Sequence, residues 1–231
     1  MEALGMNAKQ LAGEKAAEWV EDGMTIGLGT GSTVYYTIEK IGEMVKNGLQ
    51  IVGVPTSERT RIQAEGLGIP LTSLNEVEKI DLTIDGSDEV DASFRGIKGG
   101  GGALLREKMV ADISDTNIWV VSSNKRVDVL GKFPLPIEVI PFGYKQVANK
   151  LQKRSADARL RKTEDGDIYV TDNGNYILDV YDQAFTDPAE WQDWLQKVPG
   201  IVEQGFFLGI VDIVIAASES GEIELFESEK S

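Results

Sequence analysis

The sequence predicts an α/β protein: a Rossmann-like parallel-sheet domain carrying a smaller inserted α+β domain. Three observations carry this. Apolar strand-like runs alternate with helix-like segments through residues 8–122, joined by short glycine-rich turns, and such alternation builds a parallel sheet covered by helices. The alternation stops at a proline-rich stretch, GKFPLPIEVIPFG at 131–143, where proline marks a boundary and a change of chain direction. A nearly continuous apolar run, GIVDIVIAA at 209–217, reads as a buried strand returning to the first sheet. The expected domains are therefore 1–130 plus 208–231, and 131–207.

The elements follow in order. Ala8, Leu11, Ala12, Trp19 and Val20 recur at roughly helical spacing, and 24–28 reads as a buried strand. A helix is expected over 32–45, a strand at 51–54, a helix over 57–65 and a strand at 80–84. A helix over 103–111 and a strand at 118–122 complete the first half. From 135 to 205 the order expected is strand, helix, two short strands, helix, with a turn at Asp172-Asn173-Gly174. Trp191 and Trp194, three residues apart, read as core or interface. The acidic ESEK stretch at 227–230 is expected to fray.

Composition excludes several chemistries. Of 231 residues, 38 are acidic and 23 basic, a net charge of −15. That argues against nucleic acid, whose phosphates demand basic surface. The same charge repels small anions, so a phosphate ligand requires a local site of backbone N–H groups and a few cations. With no cysteine and no histidine, thiol chemistry and Ser-His-Asp systems are impossible, and zinc or copper sites are not expected. Proton transfer near neutral pH falls to Asp, Glu, Lys or Tyr. The N-terminal MEALGMNAKQ has no signal-peptide pattern and no apolar run approaches membrane-spanning length, so a soluble cytoplasmic protein is expected.

Four motifs hold the polar chemistry. Gly29, Thr30, Gly31, Ser32 and Thr33 join a strand to a helix; glycines admit a ligand to the backbone and the hydroxyls add donors at a helix N-terminus. The glycine spacing fails the dinucleotide fingerprint, and the lysine of a P-loop is missing. Thr56-Ser57-Glu58-Arg59-Thr60 follows the next strand, as a helix cap or a second ligand segment. The loop from Asp85 through Asp88 to Asp91 ends another strand, where open α/β sheets place ligands. Its carboxylates suit sugar hydroxyls, acid–base work or a hard cation. Lys98 then precedes four consecutive glycines, followed by Ala103-Leu104-Leu105-Arg106-Glu107-Lys108. Such a run is costly in backbone entropy unless unusual dihedrals or a close approach require it. Glu107 falls about one turn into the next helix, as an acid–base group or an ion-pair partner. Lys125 ends another apolar strand, facing the same crevice or solvent.

Together these motifs resemble the type A family of ribose-5-phosphate isomerases. GTGST, TSxxT, a DGADE-type loop, a KGGGAALxREK-like stretch, SxxKxV and a late PGVVxxGLF-like stretch occur in order between residues 29 and 207. The chain departs mildly: Gly102 stands where alanine is usual, Leu105 where a small polar residue is common, and Ser87 for alanine. The resemblance implies interconversion of D-ribose 5-phosphate and D-ribulose 5-phosphate through an enediolate, without metal or other cofactor. It implies Glu107 as the base, and Asp85, Asp88 and Lys98 at the sugar. Gly29, Thr30, Gly31, Ser32 and Thr33 would hold the phosphate, with Lys9 and Lys125 as cationic helpers. It also implies a homodimer or homotetramer. A silent sugar-phosphate sensor and an amino-sugar phosphate deaminase are the alternatives. The first usually carries a DNA-binding module for which this chain has no room, and the second sits poorly with the absence of histidine.

Overall fold

The structure is a computed structural model that describes residues 7–154, 157–181 and 184–228. Along the chain run α1 (Ala8–Ala17), β1 (Thr25–Leu28), α2 (Val34–Lys46), β2 (Val52–Pro55), α3 (Glu58–Gly66), β3 (Ile80–Gly86), β4 (Glu89–Val90), β5 (Gly96–Ile97) and α4 (Leu104–Asp112). Then come β6 (Ser114–Ser122), β7 (Leu135–Val139), α5 (Tyr144–Arg154), β8 (Asp157–Leu160), β9 (Tyr176–Tyr181), α6 (Pro188–Leu195), β10 (Ile201–Gln204), β11 (Phe206–Phe207), β12 (Ile213–Ala217) and β13 (Ile223–Glu227). The chain divides into two compact units, one holding Met1–Ser87, Arg106–Arg126 and Ile210–Ser231, the other Asp88–Leu105 and Val127–Gly209.

The first unit is built on a six-stranded sheet in the order β13-β12-β6-β3-β1-β2. All its pairings are parallel except β12 with β13. Alanines 8, 12 and 16 of α1 pack with Val34, Ile38 and Ile41 of α2 and with Leu82, Ile84, Ile118, Val120 and Ile215 from the strands. Small residues let these layers approach closely, and burying the aliphatic side chains contributes about 1.5–3 kcal/mol each before entropy is charged. Val110 of α4 joins a separate cluster with Val54 and Ile80. The apolar run at 209–217 does enter this sheet, as β12 between β6 and β13.

The second unit has a four-stranded antiparallel sheet, β10-β7-β9-β8, and a small sheet in the order β11-β5-β4. Leu135, Ile137 and Val139 of β7 and Leu178 and Val180 of β9 form its core with Val147 and Leu151 of α5. Phe185 meets Trp191 and Phe206 edge-on, with ring centres 5.4 and 5.0 Å apart. The Arg154 guanidinium lies 4.9 and 4.8 Å from the Trp191 and Trp194 rings, so both tryptophans serve α6 packing. The expected turn at 172–174 forms, with Gly174 at φ +78°. Buried Glu138 accepts from Thr171 Oγ1 and Asn175 Nδ2, each at 2.9 Å, which pins that turn to β7.

Three features differ from the sequence reading. β3 runs two residues further, taking Asp85 and Gly86 into the ladder opposite Trp119 and Val120. The β4–β5 hairpin and the glycine run belong to the second unit. At the C-terminus the expected fraying does not hold for Glu227 and Ser228: Glu227 pairs with Ile213 in β13, and the Ser228 N–H donates to the Asp212 carbonyl at 2.8 Å. A turn closed by Gly221 N–H on the Ser218 carbonyl at 3.0 Å makes that edge strand. Residues 229 and 230 lie outside the described residues.

Candidate active site

In the six-stranded sheet the chain steps from β1 outward to β2, then returns to place β3 on the other flank of β1. The gap beyond the carboxyl ends of β1 and β3 is thus the topological switch point, where α/β sheets bind ligands. Residues 29–33 leave β1 there and Asp85 ends β3 there. The Gly29 N–H donates to the Ile84 carbonyl at 3.0 Å. Asp85 is buried, and its Oδ1 accepts from the backbone N–H groups of Thr30 at 3.0 Å and Gly86 at 2.7 Å. A Cβ on Gly29 would overlap the Asp85 carboxylate and backbone. Only glycine permits this approach, so the loop and the carboxylate are built against each other.

The TSxxT segment holds the loop from beneath. Thr30 Oγ1 lies 2.8 Å from Thr56 Oγ1, 2.7 Å from Ser57 Oγ and 3.1 Å from Thr60 Oγ1. Thr60 Oγ1 donates to the Gly29 carbonyl at 2.8 Å, and Thr56 Oγ1 to the Leu28 carbonyl at 3.0 Å. All four hydroxyl residues are buried. Ser57 also caps α3, accepting from the Thr60 N–H at 3.1 Å, so this segment is both cap and scaffold. Thr30 spends its N–H and its hydroxyl inside the protein, and Gly31 and Ser32 are left bordering a pocket of about 430 Å³.

Glu107 sits in the first turn of α4 and is 4% exposed. Its neighbour Arg106 reaches Glu58 at the start of α3, Nη1 to Oε1 3.2 Å, which ties the opening of α4 to the TSxxT scaffold. Arg61 and Arg106 together hold the Glu58 carboxyl below the usual carboxylate range, Arg61 having the larger effect. Lys9 is exposed in the first turn of α1. The cap of that helix, Asn7, donates Nδ2 to Tyr36 Oη at 3.1 Å, and Tyr36 lines the same pocket as Ser32. Lys125 is half-buried just past β6.

Asp88 and Lys98 belong to the second unit. Asp88 Oδ2 accepts from the Gly100 N–H at 2.7 Å, and a Cβ on Gly100 would stand 2.6 Å from Asp88 Oδ1. Lys98 is 2% exposed, its Nζ 5.3 Å from the Phe207 ring centre and its N–H on the Gly205 carbonyl at 2.9 Å. The glycine run is clamped by two residues the sequence reading missed. Arg161, paired with Asp179, donates Nη1 to the carbonyls of Gly99 at 2.8 Å and Gly100 at 3.1 Å. Tyr169 Oη donates to the Gly101 carbonyl at 3.2 Å. The same hydroxyl fills the space a Gly102 side chain would need, and Gly102 has φ +79°, which accounts for glycine at that position. Arg161 and Tyr169 lie some sixty residues from the glycines, so no local signal could have revealed them.

Among the described residues no cluster of three or more acidic side chains is placed to hold a metal ion. No helix is long and apolar enough to cross a membrane. A buried carboxylate in a helix, a second carboxylate fixed by backbone N–H groups and a hydroxyl-supported glycine loop together can move a proton and grip an anion.

Comparison with known proteins agrees with this chemistry. The family model for ribose 5-phosphate isomerase A (phosphoriboisomerase A) matches residues 52–221. The chain is 65% identical to a ribose-5-phosphate isomerase A from Listeria monocytogenes, over 96% of this chain and 99% of that protein. It is 49% identical to the one from Enterococcus faecalis over 94% and 96%. A solved D-ribose-5-phosphate isomerase in complex with phospho-erythronic acid superposes with TM-score 0.91 at 41% identity, covering 96% of this chain and all of the other. The isomerase from Plasmodium falciparum gives 0.92 at 36%, covering 96% and 99%. With a family model matching most of its length and relatives aligned nearly end to end, the chain belongs to the ribose 5-phosphate isomerase A family.

Proposed function

We propose that this protein interconverts D-ribose 5-phosphate and D-ribulose 5-phosphate, the aldose–ketose step of the non-oxidative pentose phosphate pathway. The observations that carry the reading are a buried glutamate, Glu107, in the first turn of α4 and a glycine loop built against Asp85. Glu107 removes the proton from C2 of the open-chain aldose and returns it to C1, while the hydroxyl proton moves in the same sense, leaving O2 and arriving at O1. One carboxylate suffices because donor and acceptor carbons are adjacent.

The intermediate is an enediolate, whose negative charge needs a cation or oriented donors in a site shielded from water. Lys98 takes the cationic role, and its burial against Phe207 suits a charge whose value rises as water is excluded. Asp85 and Asp88 bind sugar hydroxyls and assist ring opening. The phosphate lies on the loop Gly29, Thr30, Gly31, Ser32 and Thr33, with Lys9 and Lys125 adding positive charge. Homodimer or homotetramer formation and a cytoplasmic location accompany this reading.

The test is ribulose 5-phosphate formation from ribose 5-phosphate in EDTA, wild type against Glu107→Gln. Turnover that survives EDTA and falls at least about 10²-fold in a folded variant is expected, the usual worth of a general base. A variant near the wild-type rate removes Glu107 as the base, and loss of wild-type activity in EDTA alone would restore a cation to the Asp85 loop.

A further inference from the structure

We propose that Arg59 is a second-wall contact for the substrate phosphate, and that it sets affinity for the phosphorylated sugar without entering the proton transfer. This rests on the reading of residues 29–33 as the phosphate loop. The pocket of about 430 Å³ at that loop is walled by Gly31 and Ser32, by Tyr35 and Tyr36 of α2, and by Arg59 and Gln63 of α3. Arg59 is the charged residue lining it, and no acid does.

The surrounding ion pairs leave this arginine uncommitted. Glu58, next to it in sequence, is engaged by Arg61 at 2.8 Å and by Arg106 at 3.2 Å, and Arg61 also binds Glu65 at 2.7 Å. Among the described residues Arg59 alone of the arginines has no ion pair. In a chain of net charge −15, a cation without an acid beside an acid-free pocket points to an anionic ligand. Glu39, which is not among the residues lining the pocket, is engaged by Gln63 Nε2 at 3.1 Å and by the Tyr35 hydroxyl, whose pKa its charge raises. A guanidinium is suited to the other side of a phosphate whose near side rests on backbone N–H groups, because its planar fork matches two phosphate oxygens.

The experiment compares Arg59→Gln, Arg59→Lys and Lys40→Gln with wild type. Lys40 lies on α2 outside the pocket and pairs with Glu43, so its substitution removes the same charge from the same unit. Arg59→Gln is expected to raise KM for ribose 5-phosphate at least about five-fold with kcat within about two-fold, in line with loss of a solvent-accessible charged hydrogen bond. The inhibition constant of inorganic phosphate should rise by a similar factor. Arg59→Lys should recover part of both, and Lys40→Gln should change neither. KM and phosphate inhibition within two-fold of wild type in Arg59→Gln would overturn the proposal. So would weaker phosphate inhibition with unchanged KM, which would assign Arg59 to a separate anion. If the wild type shows no isomerase activity, calorimetric binding of inorganic phosphate decides. Binding weakened by Arg59→Gln keeps the anion contact while the isomerase reading falls, and unchanged binding removes both.

Discussion

Gly29 shows how one residue decides the site. A side chain there would collide with the Asp85 carboxylate, so the loop after β1 and the acid near the end of β3 can be neighbours only with hydrogen in place of Cβ. Gly31 differs: its φ of +149° is costly for other residues, yet nothing stands within 4 Å of an added Cβ. Gly29→Ala is therefore expected to do more harm than Gly31→Ala. It should cost about 1–3 kcal/mol of stability through overpacking and lower kcat/KM more than about ten-fold, since misplacing groups by an ångström costs about 10²-fold. Denaturant unfolding and steady-state kinetics on the two variants check this; equal effects would mean that backbone strain, not the Asp85 contact, governs the loop.

At the scale of elements, α3 is worth more than its short length suggests. Its N-terminal hydroxyls are buried and meet Thr30 and the Gly29 carbonyl, so the start of this helix is the floor of the β1–α2 loop. Thr60→Val keeps the shape and removes the hydroxyl, leaving the Gly29 carbonyl without that donor. A loss of about 1–3 kcal/mol is expected, with KM raised because the loop loses its floor. Thermal unfolding and KM together test it: lower stability with unchanged KM would confine the network to a structural role. Sequence reading placed α3 and its cap from the TSERT pattern and left open whether the hydroxyls serve the helix or a ligand. They serve the helix and the neighbouring loop, a pairing between residues about thirty apart that no local pattern encodes.

For the molecule as a whole, charge is the dominant global fact. A net charge of −15 works against the compact state by self-repulsion, and salt screens it over about 10 Å at 0.1 M. Raising NaCl from about 10 to 150 mM is therefore expected to raise the unfolding temperature by a few degrees, and the same ionic strength of KCl should do as well. A flat response would show that local ion pairs, such as Arg61 with Glu58 and Glu65, already balance the repulsion.

The alternation of strand and helix, the parallel sheet and the returning strand β12 were determined by the sequence itself, because apolar periodicity and glycine positions act locally. So were the polar loops at the strand ends, since glycines beside charged residues have few other uses. What only the tertiary structure decided is which distant groups those loops meet. β3 runs on through Asp85 because its ladder partner is β6, and the glycine run keeps its unusual dihedrals because Arg161 and Tyr169 grip its carbonyls. Arg59 borders the pocket uncommitted because Glu58 is taken by Arg61 and Arg106. Each turns on at least one partner far away in the chain, settled by packing that local patterns do not encode.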